Sequence, residues 1–186
     1  MREHTTTTLI FNRGSRRLIF GYFVLVALVY AGVFLSDIQL ELLPTQELIK
    51  HVDWYAIFIQ NTSSAFLIIL LGLLSFGTVS SAVALYNLYL LSLAVYIAYL
   101  HSGSMTYTLL VILTHGIVEI IAIVLSYYLS TISLRLLINK LYQKQIFYIQ
   151  SLRQFMWYLL FIVGLFLLAA LLEAYLTPTV VSLILE

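Results

Sequence analysis

Five ionisable or amide side chains lie inside otherwise apolar stretches of this sequence, and their types could do chemistry within a membrane. They are Asn61, Asn87, His115, Glu119 and Glu173. His115 and Glu119 are four residues apart, so on a helix they lie on one face, where they can form a hydrogen bond or share a proton. Gly116 between them allows the backbone of a neighbouring helix to approach closely. We treat these six residues as one candidate intramembrane polar site.

Four kinds of chemistry are open to such a site. The first is structural, because hydrogen bonds between spanning helices contribute about 0.6 kcal/mol per pair and specify packing. The second is a conduction or substrate path, in which Glu119 or His115 exchanges protons or binds a polar group. The third is a metal ion such as zinc, with His115, Glu119 and Glu173 as candidate ligands; we expect no other cofactor.

Catalysis, the fourth kind, has the least support. The sequence contains no His-Glu-x-x-His, Gly-x-Ser-x-Gly or paired-aspartate motif, and each of these motifs supplies a metal ligand set, a nucleophile or an acid and base. The sequence also has no cysteine, which excludes disulfides, thiolate metal sites and cysteine nucleophiles. We therefore expect a protein that is not an enzyme.

The elements that position the polar residues must be membrane-spanning helices. Hydrophobic residues make up 62% of the 186 residues and charged residues only 9%, with a mean hydropathy of +1.04. Several uncharged stretches run about 20 residues, the length that a helix needs to cross roughly 30 Å of hydrocarbon. The net charge of +1 gives no indication of a nucleic-acid partner.

These stretches predict an all-α membrane protein built as a five-transmembrane-helix bundle. The predicted spans cover about 18–36, 55–76, 80–100, 106–134 and 155–176. The transmembrane domain therefore runs over 18–178, between a basic lead at 1–17 and a C-terminal tail at 179–186. Before span two, Thr45 suits a helix N-cap and Glu47 the first turn, which predicts a short interfacial helix. Gly77 and the residues after it predict a tight turn between spans two and three.

The positions of the basic residues predict the orientation. Every Lys and Arg except Lys50 lies in the N-terminal lead or in the connections after spans two and four. Because cytoplasmic loops are enriched in Lys and Arg, the N-terminus is predicted inside and the C-terminus outside. The segment 134–153 is both basic and apolar, which favours an interfacial helix on anionic lipid; a docking surface for a cytoplasmic ATPase is the alternative.

Three segments of the chain resemble the stage II sporulation protein M family of bacterial and archaeal membrane proteins. The first begins with Phe58-Ile59-Gln60-Asn61, ends at the glycine turn and is followed by Tyr86-Asn87. The second, Thr114-His115-Gly116-Ile117-Val118-Glu119, is similar to the family's Pro-His-Gly-x-x-Glu core. The third, Leu172-Glu173-Ala174-Tyr175-Leu176-Thr177-Pro178, is similar to its Ile-Glu-Ala-x-x-Thr-Pro ending. Thr114 stands where the family has proline, and Leu88 where it usually has glycine.

The resemblance implies a non-enzymatic multi-pass subunit of the bacterial cytoplasmic membrane. In spore formers such a protein resembles an anchor for two peptidoglycan-degrading partners that drive engulfment. Other relatives are associated with ABC transporter components or with circular bacteriocins, where export, maturation or producer immunity is implied. The outer loops predicted here are short, which favours the export or immunity branch. Expected partners are thus lipid and an ABC transporter ATPase or permease, or else cell-wall hydrolases.

Two other classes of function remain open on the sequence. A stand-alone transporter or channel for a small solute or peptide would line its path with Glu119 and His115. An intramembrane metal-dependent enzyme would use the same residues as ligands. A homodimer is also open, through the small residues Gly72, Ser75 and Gly77.

Overall fold

The computed structural model describes residues 13–35 and 53–179, and all regular secondary structure within them is helical. The predicted interfacial helix around Thr45, most of the N-terminal lead and nearly all of the C-terminal tail lie outside the described residues. The helices are α1 (Arg13–Leu35), α2 (Trp54–Ser75), α3 (Thr78–Ser102), α4 (Met105–Leu113), α5 (Gly116–Ser130), α6 (Ile132–Leu141) and α7 (Leu152–Leu171), followed by a π-helical turn (Leu172–Leu176).

Four helical stretches are long and apolar enough to cross a membrane, and a fifth is gained if α5 and α6 count as one bent span. This confirms the predicted all-α membrane bundle. The orientation of the bundle stays a prediction.

The turn between α2 and α3 depends on two residues with positive φ. Phe76 has a φ of 53° and Gly77 a φ of 86°, and glycine adopts the second value without a steric penalty from Cβ. The Gly77 N–H donates to the carbonyl oxygen of Gly72 at 2.9 Å, which closes the end of α2. The predicted tight turn is therefore present, and it makes α2 and α3 neighbours.

The centre of the bundle is the crossing of α2 and α5, where small residues bring the two backbones together. A Cβ atom at Gly72 would lie 2.7 Å from the backbone oxygen of Ser130. The Ser130 hydroxyl is also hydrogen-bonded to Ser80 of α3 at 3.0 Å. Just after α5, the hydroxyl of Ser133 on α6 donates to the Leu73 carbonyl of α2 at 2.8 Å. α7 packs on this pair through a cluster that includes Ala65, Ala122, Ile123, Ile162 and Phe166.

α1 packs against α3 and α5. Tyr22 stacks on Tyr127 with ring centroids 4.4 Å apart, and Leu88 is fully buried in the same cluster. Leu88, which stands where the family usually has glycine, is thus a core residue that α1 covers.

The region of the predicted fourth span, 106–134, is divided among three helices. α4 ends before Thr114 and His115, and a second break at Thr131 separates α5 from α6 with a bend of 40°. Hydroxyl groups explain the second break: Ser130 Oγ donates to the Tyr127 carbonyl and Thr131 Oγ1 to the Tyr128 carbonyl. Such bonds to the preceding turn compete with the helix ladder and bend helices.

The segment 134–153 differs from the interfacial helix that the sequence predicts. α6 ends at Leu141 and the next helix begins at Leu152, so the residues between them form a loop. Arg135, expected on a solvated face, is fully buried: its guanidinium donates to the carbonyls of Tyr128 and Tyr148, each at 2.9 Å. The guanidinium is held inside because it donates to one carbonyl near the end of α5 and to one in the loop after α6, where the regular helix ladder ends.

Candidate functional site

Glu119 lies in the first turn of α5 and accepts a hydrogen bond from the side chain of Asn61 on α2. The bond joins Asn61 Nδ2 to Glu119 Oε1 at 2.5 Å, between residues 58 positions apart in the chain. An amide donor to a carboxyl group within the bundle satisfies part of its hydrogen-bonding capacity where lipid offers none. Two of the residues that the sequence singled out are therefore direct partners.

Two further side chains approach the same carboxyl group. Glu173, in the π-helical turn after α7, and Tyr30, on α1, both interact electrostatically with Glu119. The hydroxyl of Tyr30 is buried and has no hydrogen-bond partner among the described residues. Tyr30 is absent from the sequence-based site, although a tyrosine in the middle of an apolar span was a signal that could have indicated it.

A cavity of about 130 Å³ lies beside Glu119. Its polar lining consists of Gln60, Asn61, Ser64, Asn87 and Glu119, and its apolar lining includes Ile68, Leu90 and Phe166. The volume corresponds to about four water molecules at roughly 30 Å³ each. The cavity therefore joins α2, α3 and α5 around a polar recess.

Asn87 faces this cavity from α3 without bonding to another helix in the described part of the chain. Its Nδ2 donates to the Val83 carbonyl of its own helix at 2.9 Å. No hydrogen bond to the side-chain carbonyl oxygen of Asn87 is present among the described residues. The structure thus brings Asn87 to the same recess as Asn61 and Glu119 and leaves it capacity to bind something else.

His115 has a different partner from the one that its spacing to Glu119 predicts. The helix is interrupted at Thr114 and His115, and His115 is the N-cap of α5, where its carbonyl accepts from the Glu119 N–H at 3.1 Å. The His115 ring Nδ1 lies 3.2 Å from the hydroxyl of Thr177, and the hydroxyls of Thr114 and Thr177 are 3.1 Å apart. Gly116, the first residue of α5, is buried directly after this break.

All of these segments lie within the part of the chain that a family model matches. The model of stage II sporulation protein M matches residues 18–178. The chain belongs to this family. Comparisons with curated proteins and with solved structures gave no match.

In this member of the stage II sporulation protein M family, the three segments that carry the resemblance meet in space. The first supplies Asn61, which bonds to Glu119 of the second. The second also supplies His115, which bonds to Thr177 of the third. The family motifs are therefore contacts between helices within one polar site.

The described residues of this family member do not assemble the candidate metal ligands. Within 13–35 and 53–179, no group of three or more His, Cys, Asp or Glu side chains is placed to hold a metal ion. His115 bonds to a threonine and Glu119 to an asparagine, so the contacts that the structure gives these two residues are hydrogen bonds between side chains.

Proposed function

We propose that this chain is a non-enzymatic membrane subunit that packs against a spanning segment of another membrane protein over the cavity beside Glu119. Its role would be that of a scaffold or transport-associated component, in peptide or bacteriocin export, producer immunity or envelope remodelling. The observation that supports this proposal is the cavity itself, which carries amide and carboxyl groups on an accessible side of the bundle.

Accessibility follows from the residues at the rim. Leu90 is 42% exposed and lines the cavity, and Gln60, which also lines it, is exposed. In a bilayer, apolar helix surfaces barely distinguish a partner helix from lipid, because lipid tails are as apolar as leucine. Polar groups at a helix surface therefore select a partner that can bond to them.

The membership in the family supports partners of the kinds that the resemblance implies. An ABC transporter ATPase or permease suits the export branch, and cell-wall hydrolases suit the envelope-remodelling branch. A homodimer is a further candidate, although Gly72 is already packed on Ser130 of the same chain. The cavity is the better candidate surface because Oε2 of Glu119 and the amide oxygen of Asn87 have no hydrogen-bond partner among the chain's described residues.

A stand-alone transporter for a small solute or peptide is the second candidate function, favoured by the irregular backbone around Glu119. The break at Thr114 and His115 and the π-helical turn that contains Glu173 lie at the ends of apolar helices. At membrane depth such backbone is tolerated where protein covers it or where it lines a water-filled cavity, and transporters place binding sites at interrupted helices.

Photocrosslinking from the cavity rim tests the subunit proposal. A photoreactive amino acid in place of Leu90 is expected to give a discrete adduct with another membrane protein in the native membrane, because the partner segment would lie against that position. Leu74 of α2 is the control, since it is 72% exposed but does not line the cavity. The adducts are read by gel shift and mass spectrometry.

The same experiment has three results that would contradict the proposal. Equal labelling from both positions would mean that the contact is not specific to the cavity. No protein adduct from position 90 would mean that lipid alone covers the cavity. An adduct with only a second copy of this chain would replace the foreign partner by a homodimer.

A further inference from the structure

We infer that the cavity beside Glu119 binds a primary ammonium group, supplied by a lysine side chain of the partner segment. The inference rests on the proposed function, because it names the chemistry by which that partner would be held. It is carried by the kinds of atoms that line the cavity, by the charges around it and by its size.

The cavity is lined by residues that carry hydrogen-bond acceptors of the kind that an ammonium group needs. Glu119 uses Oε1 to accept from Asn61, and no hydrogen bond to its Oε2 is present among the described residues. The amide oxygens of Asn61 and Asn87 are also not used in the bonds that their nitrogens make. An ammonium group has three donors and no acceptor, so a carboxyl oxygen and two amide oxygens match it.

The titratable groups around Glu119 favour a cation as the ligand of the cavity. Glu173 and Tyr30 interact electrostatically with Glu119, and neither is basic. The imidazole of His115, one turn away, bonds to Thr177. Intramembrane carboxyl groups usually pair with a basic group or face a water-filled cavity. A cation from outside the chain would supply the pairing that these residues lack.

The size and the ligand set favour an organic ammonium group over a metal ion. A volume of about 130 Å³ accommodates an ammonium group with its adjacent methylene groups, since a water molecule occupies roughly 30 Å³. Calcium takes about 6–8 oxygen ligands and magnesium a strict octahedron. Among the residues that the structure describes, only one carboxyl group, that of Glu119, lines the cavity.

Thermal unfolding of the purified full-length chain in mild detergent tests this inference, with methylammonium chloride as the probe. At ten times the dissociation constant, methylammonium is expected to raise the melting temperature by about 4 °C relative to sodium chloride of equal concentration, because a ligand that binds only the folded state stabilises it. Tetramethylammonium is the control ligand, since it has the same charge but no N–H donor.

Three variants make the test specific. Glu119→Gln keeps an acceptor for Asn61 but removes the charge, and Asn87→Leu removes an amide oxygen without touching the Asn61 bond. Both should reduce the methylammonium effect at least fivefold. Asp53→Asn is the matched control, because Asp53 caps α2 outside the cavity, and it should respond like the unmodified chain.

An equal rise in melting temperature with tetramethylammonium, or an undiminished methylammonium effect in Glu119→Gln, would overturn the inference. Its failure is distinguishable from failure of the proposed function. A crosslink from position 90 without a methylammonium effect would refute the ammonium chemistry and leave the partner in place. A methylammonium effect without any crosslink would support the ammonium site and contradict the subunit proposal.

Discussion

Replacement of Gly72 by alanine is expected to lower the free energy of unfolding by about 3 kcal/mol, near the upper end of the range for overpacked cores. The new Cβ would lie 2.7 Å from both the backbone oxygen and the hydroxyl of Ser130. The backbone oxygen cannot rotate away, so α2 and α5 must separate. That separation would also strain the hydrogen bond between Ser80 and Ser130. Unfolding in mixed detergent micelles measures the change.

Gly164→Ala is the matched control for this prediction. Gly164 lies on α7, and a Cβ atom there would meet nothing within 4 Å. Because glycine inside a helix is about 1 kcal/mol less favourable than alanine, the control should be neutral or stabilising. Equal stability of the two variants would show that the α2–α5 crossing is not as close as described.

Replacement of Arg135 by methionine is the second change with a large expected effect. The guanidinium makes two hydrogen bonds to backbone carbonyls, those of Tyr128 and Tyr148, and lies 4.1 Å from the centre of the Tyr128 ring. Hydrogen bonds to a charged group contribute about 1.5–3 kcal/mol each. After the cost of burying the charge, we expect the variant to lose about 3 kcal/mol of unfolding free energy.

Arg135→Lys should be destabilised as well, because an ammonium group lacks the planar fork that reaches two carbonyls at once. Lys140→Met is the control: Lys140 is exposed on the same helix, and a surface change of this kind usually stays within about 0.5 kcal/mol. If Arg135→Met were as stable as Lys140→Met, the prediction would be wrong. The free-energy cost of burying the guanidinium would then equal the stabilisation that its hydrogen bonds and its contact with the Tyr128 ring provide.

The fold could be predicted from the sequence because its main determinants are local. The uncharged stretches and the glycine turn at Gly77 depend on composition and on residues adjacent in the chain, and both are present in the structure. The burial of Arg135 could not be predicted in this way. Its partners are carbonyl groups of α5 and of a loop, and main-chain carbonyls leave no signature in side-chain patterns.

The candidate site could be predicted in part. Asn61, Asn87 and Glu119 were indicated as polar residues in apolar spans, and the structure brings all three to one cavity. The pairing of His115 with Glu119 assumed an unbroken helix, whereas the interruption after α4 gives His115 the hydroxyl of Thr177 instead. Tyr30 was missed because its relation to Glu119 depends on how α1 packs on α5, a contact between distant segments.

The interruption and the π-helical turn have a shared consequence for function. Together they place His115 against Thr177 and Glu173 within electrostatic range of Glu119. The chain just after α7 is therefore hydrogen-bonded, through Thr177, to the break between α4 and α5. A partner that binds at Glu119 would act on a site built from α2, α3 and α5, with Tyr30 of α1 and Glu173 after α7 interacting electrostatically with Glu119.

The most direct test of the account is recovery of partner proteins from native membranes in mild detergent, with the unmodified chain, Glu119→Gln and Asp53→Asn compared by quantitative mass spectrometry. We expect a membrane protein to copurify with the unmodified chain and with Asp53→Asn. With Glu119→Gln we expect at least tenfold less of that protein, and a tenfold loss corresponds to about 1.4 kcal/mol of binding free energy. Copurification at the same level with a folded Glu119→Gln variant, or none with the unmodified chain, would contradict it.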